Sequence, residues 1–339
     1  MRIRELLRIL LSPVVIKRVL LSLATIWTCM TLTFIVIHLM PGDVIMSFAY
    51  DIVQTYGVTY EEAYRIATAF YTGYDPTKPL HERYIEYIKR LLLEGNLGYS
   101  HLWRLPANAV IARALPWTIF VLSQALLISF AIGATLGMYI AWKRKGTLEA
   151  ITMGYVSLTE ATPNFATALI FLIVFAVILK LFPLRGAYSV EPGLTITFIA
   201  DCYYHAALPI IVYVIEHLGM WTLLMRGSAV SVLGEDYVYA AHARGLKDKR
   251  IAITYVGRNA ILPPITTLAI AFGSMLGGSL LIESVFMYPG IGYFIADAIN
   301  KRDYGLMQGL FFVTTVGIVL ANLITDFIYP VLDPRVRRR

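Results

Sequence analysis

Three ionisable residues stand in apolar surroundings, where a charge is expensive. Glu160 precedes the run that begins at Pro163, and the adjacent pair Glu216-His217 lies in the middle of Ala206–Met225. A carboxylate or imidazole inside a membrane is a functional candidate by default, because its desolvation must be offset by a partner, a cation or a proton. Facing a pore, these groups could bind protons or cations or line a substrate path. Facing another helix, they would make a satisfied polar contact. Asn322 and Asp326, four residues apart, share a helix face that suits contact with a neighbouring helix. Covalent and metal chemistry finds only fragments. Ser279 follows Gly277-Gly278, but Leu281 leaves GxSxG incomplete. His81-Glu82 begins HExxH, but Ile85 occupies the second ligand position. His242 has no second ligand at helical spacing, and Cys29 and Cys202 make neither a disulfide framework nor a CxxC site. No catalytic, metal-binding or cofactor-binding residue is expected. No GxxxxGK[ST] is present, so the chain does not cradle ATP phosphates by that motif.

A different capability, recognition, is concentrated between Asp236 and Pro264, in DYVYAAHARGLKDKRIAITYVGRNAILPP. This basic, polar stretch separates two long apolar runs. Read as a helix, Asp236–Arg244 places Tyr237, Ala240, Ala241 and Arg244 on one face. Alanines keep such a face shallow, so another protein can come close. Gly245 stands where a helix closes in the left-handed conformation, and Leu246 follows as the apolar residue that packs back on the last turn. Asp248 is placed to cap the next helix, which carries Lys249, Arg250 and Arg258. An ordinary helical hairpin between spans would have the same local signals.

These segments need a scaffold, and composition supplies it. Of 339 residues, 58% are hydrophobic and 15% charged, and the mean hydropathy is +0.66. Continuous apolar runs of about 20 residues cross a bilayer as helices, since every backbone polar group in lipid needs an internal partner. Six spans are expected: Val19–Met40, Trp117–Trp142, Pro163–Phe182, Ala206–Met225, Pro263–Glu283 and Leu306–Tyr329. Ile151–Thr162 reads as the start of the third helix, bent at Pro163. The first run is too long for a signal-peptide core, so it reads as a retained span. The net charge of +7 is explained by positive cytosolic loops rather than by nucleic-acid binding. Arg2, Arg4, Arg8, Lys17 and Arg18, then Lys143-Arg144-Lys145, the Arg226–Arg258 group, and Arg335 and Arg337–Arg339 fall on one side. Both termini are therefore expected in the cytosol.

The long outer segment Pro41–Leu115 has periodicity of its own. Thr59–Tyr71 and Leu80–Leu92 both read as amphipathic helices rich in tyrosine, suited to the lipid–water interface or to a delivering partner. Gly133 and Gly137, and again Gly273 and Gly277, form GxxxG patterns that allow close helix approach. The expected division is a first span with an extracellular helical insertion (residues 1–115), a five-helix core (116–333) bearing a cytosolic loop (229–260), and a basic tail (334–339).

The 236–264 stretch resembles the cytosolic EAA loop of ATP-binding-cassette importer permeases, E-A-A-x3-G followed by I-x-L-P. Ala240, Ala241 and Gly245 fit, Tyr239 stands in place of the glutamate, and Leu262-Pro263 comes about five residues later than in the general pattern, as in the dipeptide/oligopeptide subfamily. Other positions resemble that subfamily along nearly the whole chain. They are Pro41-Gly42-Asp43, Lys78-Pro79-Leu80, Tyr84, Gly95-Asn96-Leu97-Gly98 (with Asn96 for the usual aspartate), Ser100, Pro163 and Phe165. Toward the C-terminus they are Glu283, Phe286, Pro289-Gly290-Ile291-Gly292, Asp303-Tyr304, Asn322, Asp326, Tyr329 and Asp333-Pro334-Arg335.

The resemblance implies a multi-pass cell-membrane subunit that is not itself an enzyme. It would pair with a homologous second permease, receive substrate from an extracellular solute-binding protein and bind two cytosolic ATPase subunits, which hold the ATP and Mg. Tyr237, Tyr239, Ala240, Ala241, Arg244, Gly245 and Leu246 would form the ATPase-coupling helix and its stop. Glu160, Glu216 and His217 are the pathway-lining candidates. The resemblance leaves peptides, oligosaccharides and nickel open as substrates. The ionisable residues leave an ion-coupled secondary transporter as the rival.

Overall fold

A computed structural model describes residues 13–40, 44–70, 78–143 and 146–332. Pro41-Gly42-Asp43, Tyr71, Arg144-Lys145, Asp333-Pro334-Arg335, Arg2, Arg4, Arg8 and Arg337–Arg339 lie outside the described residues. The described part is almost wholly helical, and it divides into two compact units.

The first unit takes Met1–Pro116 and Gly290–Leu320. Helix α1 (Pro13–Leu39) is followed by α2 (Val44–Tyr56), α3 (Tyr60–Phe70) and α4 (Leu80–Glu94). The two amphipathic helices expected in the outer segment are present as α3 and α4. Helix α2 is an addition, although Ile45, Phe48, Ala49 and Ile52 repeat at i, i+3, i+4 and i+7. These four residues are buried with Ala63 and Ala67 of α3, so α2 and α3 close a small core of their own. Helix α4 lays its tyrosines on α1: Tyr84 and Tyr87 pack on Phe34, and the Tyr84 hydroxyl pairs with Thr31 at 2.6 Å. A two-residue antiparallel ladder, β1 (Tyr99–Ser100) with β2 (Leu105–Pro106), leads into α5 (Ala107–Lys143). The main core of this unit joins the start of α5 to α12 (Ile291–Asn300) and the start of α13 (Tyr304–Leu332).

The second unit takes Trp117–Pro289 and Ala321–Arg339. It holds the rest of α5, then α6 (Thr147–Ala161), α7 (Asn164–Phe171), α8 (Ile196–Leu233), α9 (Asp236–Ala243), α10 (Leu262–Ser274) and α11 (Leu280–Val285). The expected bend at Pro163 is present, with α6 and α7 meeting at 99°. Thr162 is extended (φ −98°, ψ 123°), as the ring of a following proline requires. Beyond α7 the chain winds in wide π-type turns through Leu172–Ile178. The GxxxG of α5 seats on α8: a Cβ on Gly133 would come within 2.5 Å of the Trp221 Cβ, and Gly137 abuts the backbone of Thr222 and Arg226. Gly273 makes the same kind of approach to Ala321.

Among the described residues, Val15–Leu39, Ala107–Lys143, Ile196–Leu233 and Tyr304–Thr325 are long and apolar enough to cross a membrane, and the bent α6–α7 pair adds a fifth candidate. Two expectations change. Ala206–Met225 is only the middle of a 38-residue helix, because a helix need not stop where its apolar run stops. The N-terminal end of α8 is capped by Thr195, whose hydroxyl oxygen accepts the Phe198 N–H at 3.2 Å. Pro263–Glu283 is not one continuous span. Helix α10 has 13 residues, or roughly 20 Å against a hydrocarbon core of ~30 Å. The chain then breaks at Gly278 (φ 65°, ψ −173°), a conformation open essentially to glycine alone. It restarts at Ser279, whose hydroxyl oxygen accepts the Ile282 N–H at 3.4 Å.

Candidate functional site

Helix α9 is a short, firmly ended rod. The Gly245 N–H donates to the His242 carbonyl at 2.9 Å, and the Leu246 N–H reaches back to the Ala241 carbonyl at 3.3 Å. Gly245 itself is at φ +69°. These two bonds satisfy carbonyls that the helix leaves open at its end. Leu246 packs against the core formed by Met225, Ala229, Val238, Ala241 and Ile251, so the expected glycine stop and apolar return are both present. Asp248 does not cap the next helix. Lys247 holds the cap position without a side-chain bond, and Asp248 is already helical (Asp248–Arg250). There its charge favours the positive end of the helix dipole. The chain continues in wide turns through Ile251–Gly257 before the short helix Arg258–Ala260.

The shallow face needs one correction. Val238 and Ala241 are each 2% exposed and form the inward stripe of α9. Ala241 is therefore buried in that stripe, whereas Tyr237, Ala240 and Arg244 stay on the surface together with Tyr239 and Ala243. Two adjacent alanines look alike in a sequence, and only the core that receives one of them decides which points inward. The Tyr237 hydroxyl accepts from Asn259 Nδ2 at 3.2 Å, and the His242 ring stacks with Trp142 at 6.2 Å. Helix α9 is thus fixed on both flanks while its alanine face stays open.

The three ionisable candidates converge. Glu160 ends α6 beside the Pro163 bend, and Glu216 and His217 sit in α8, which packs on both α6 and α7. Glu216 lies within electrostatic reach of Glu160 and His217 and beside Thr167 of α7. Its Oε1 is buried without a hydrogen-bond partner. His217 Nδ1 faces the Tyr213 carbonyl at 2.9 Å, and the Tyr155 hydroxyl donates to the Ile215 carbonyl at 2.6 Å, pinning α6 to α8 at this level. Glu160 is exposed, whereas Glu216 and His217 are half-buried. A carboxylate pair beside a helix bend can receive a cation, an ammonium group or a proton.

Three polar nodes have partners that the sequence does not announce, although Ser100, Glu283 and Asp303 stand among the positions that resemble the subfamily. Arg226 Nη2 forms an ion pair with Glu149 Oε1, tying the lower part of α8 to the first turn of α6. Glu283 is fully buried and accepts from the Thr118 hydroxyl at 3.1 Å. Asp303, also fully buried, accepts from the Ser100 hydroxyl at 2.5 Å, from Leu102 N–H at 3.3 Å and from Leu306 N–H at 3.1 Å, with His101 Nδ1 at 3.3 Å. Their signal in the sequence was a carboxylate next to an apolar run. The partners lie up to 203 residues away, and no local spacing announces them.

A family model described as the binding-protein-dependent transport system inner membrane component matches residues 133–338. The chain is 30% identical to the di/tripeptide transport system permease protein DppB of Pseudomonas aeruginosa, with 95% of this chain and 98% of that protein covered. It is 29% identical to the dipeptide transport system permease protein DppB of Escherichia coli, covering 96% and 98%. It is also 29% identical to the oligopeptide transport system permease protein AppB of Bacillus subtilis, covering 96% and 99%.

Proposed function

The chain belongs to the inner-membrane components of binding-protein-dependent transport systems, and from that premise we propose that it is the peptide-conducting permease subunit of an ATP-driven importer. It crosses the membrane six times with both termini in the cytosol, the broken α10–α11 segment serving as one crossing. It pairs with a second, homologous permease and receives di- or oligopeptides from an extracellular solute-binding protein. Two cytosolic ATPase subunits bind ATP and Mg and dock on the loop 229–260. The relatives named as dipeptide, di/tripeptide and oligopeptide permeases support the substrate class.

One observation carries the coupling: α9 exposes Tyr237, Tyr239 and Ala240, with Arg244 exposed at its end, on a helix whose end is locked by Gly245 and Leu246 and whose inner stripe, Val238 and Ala241, is seated on α5 and α8. A partner that pushes on α9 therefore moves packed helices rather than a loose loop. When the ATPases close on ATP, that push biases the permease pair between inward-open and outward-open arrangements by rigid-body motion. Glu160, Glu216 and His217 line the pathway beside the bend at Pro163. Purification of the chain from gently solubilised membranes tests the reading. Recovery of a second permease and ATPase subunits supports it. A chain that purifies alone and moves solute in liposomes without ATP would instead favour ion-coupled transport through Glu216 and His217.

A further inference from the structure

Tyr239 is the more exposed of the two tyrosines on α9. It is 64% exposed, and among the described residues neither its ring nor its hydroxyl has a partner within the chain. Its neighbour Tyr237 is less exposed and has its hydroxyl held by Asn259. The residue after Tyr239 is Ala240, and one turn on is Ala243, both exposed and small. A bare aromatic ring on a rigid helix, with the small side chains of Ala240 and Ala243 beside it and the His242 ring drawn onto Trp142, has the shape of an interface anchor: large contact area and two side-chain torsions to freeze.

The charges around it are sorted along the chain. Glu235 and Asp236 open α9, whereas Arg244, Lys247, Lys249 and Arg250 gather at its end and on the following turn, with Asp248 among them. None of these seven groups forms an ion pair within the described residues. Complementary potentials set the orientation and register of a contact more than its strength.

Resting on the importer reading above, we propose that Tyr239 is the anchor of the ATPase contact, inserting into an apolar pocket of the ATPase groove whose rim is basic beside Glu235 and Asp236 and acidic beside Arg244 and Lys247. The partner surface thus accepts a neutral aromatic ring at the place where the EAA loop of this family carries a glutamate.

The test uses the assembled permease pair in nanodiscs, titrated with its ATPase subunits while complex formation and ATP hydrolysis are followed. Tyr239→Phe should bind within about two-fold of the parent, because the ring supplies the contact. Tyr239→Ala should weaken assembly about thirty-fold, the loss of a full hot spot, and Tyr239→Glu at least as much. Parent-like binding by Tyr239→Ala or Tyr239→Glu would overturn the anchor. Ala240→Trp separates this from the parent reading. If it blocks assembly while Tyr239→Ala does not, docking on α9 stands and the anchor is wrong. If neither variant affects assembly, docking on α9 itself fails.

Discussion

Leu246 and Ala241 are joined by a backbone hydrogen bond of 3.3 Å that runs backward across the end of α9, with Gly245 turning the chain between them at φ +69°. The bond seats Leu246 against the same core that buries Ala241. The last turn of α9 and its inner contact are therefore one unit.

Replacing Gly245 by valine attacks that unit. A β-branched residue in the left-handed region costs about 1–2 kcal/mol, and open space around Gly245 means that conformation rather than crowding is at issue. Gly245→Val should reach the membrane in normal amounts yet fail to link ATP hydrolysis to uptake, whereas Gly245→Asn should retain much of the coupling. Paired measurements of membrane abundance, ATPase rate and transport check this, and unchanged uptake in Gly245→Val would count against the helix-stop argument.

The Arg226–Glu149 pair makes a second prediction. Both side chains are only partly exposed, so removing the Glu149 carboxylate leaves the Arg226 charge in poor solvent, and Arg226→Met takes a cation away from the Glu149 carboxylate. Glu149→Gln and Arg226→Met should each lower stability by about 1 kcal/mol or more, and the double variant should cost less than the two single changes combined. Thermal unfolding of the detergent-purified protein gives all corners of the cycle.

Asp303 is a harder constraint. With one backbone N–H on Oδ1 and the Ser100 hydroxyl and a second N–H on Oδ2, Asp303→Asn would turn an amide donor toward existing donors. A loss of about 2–3 kcal/mol is expected from the unmet groups. Gly98→Ala should be at least as severe, since Gly98 sits at φ +107° and an added Cβ would lie 2.7 Å from the Gly305 carbonyl oxygen. Yield and thermal stability of each variant are the readouts.

Glu216 separates transport from assembly. Glu216→Gln keeps the shape and removes the charge, so complex formation and ATPase docking should persist while peptide uptake falls about ten-fold, the scale of a lost charge-assisted contact. Uptake into proteoliposomes at fixed ATPase content measures it. Uptake equal to the parent would place Glu216 in a helix contact rather than on the path.

Much of this architecture is legible in the sequence because membrane spans and glycine stops are local signals. Gly245 announces the end of α9, Pro163 announces the bend, and Gly133 and Gly137 announce the contact that Trp221 and Thr222 receive. Helix α2 was legible too, through Ile45, Phe48, Ala49 and Ile52, but it is short and lies beside a long span. The break at Gly278 was hidden inside an apolar run whose hydropathy does not change as the helix stops. The inward turn of Ala241, the partners of Asp303 and the Glu149–Arg226 pair depend on residues distant in the chain. No period or spacing rule carries that information.

The most direct test of the account is a cross-link from α9. A photoreactive residue placed at Ala240, in the membrane-embedded complex, should join the chain to an ATPase subunit, and the same probe at the inward-turned Ala241 should mark α5, α8 or their neighbours instead. Efficient capture of an ATPase from Ala240 but not from Ala241 is the expected result. Capture of lipid or of the chain itself from Ala240, in a preparation where the ATPase is bound, would contradict the claim that α9 is its docking surface.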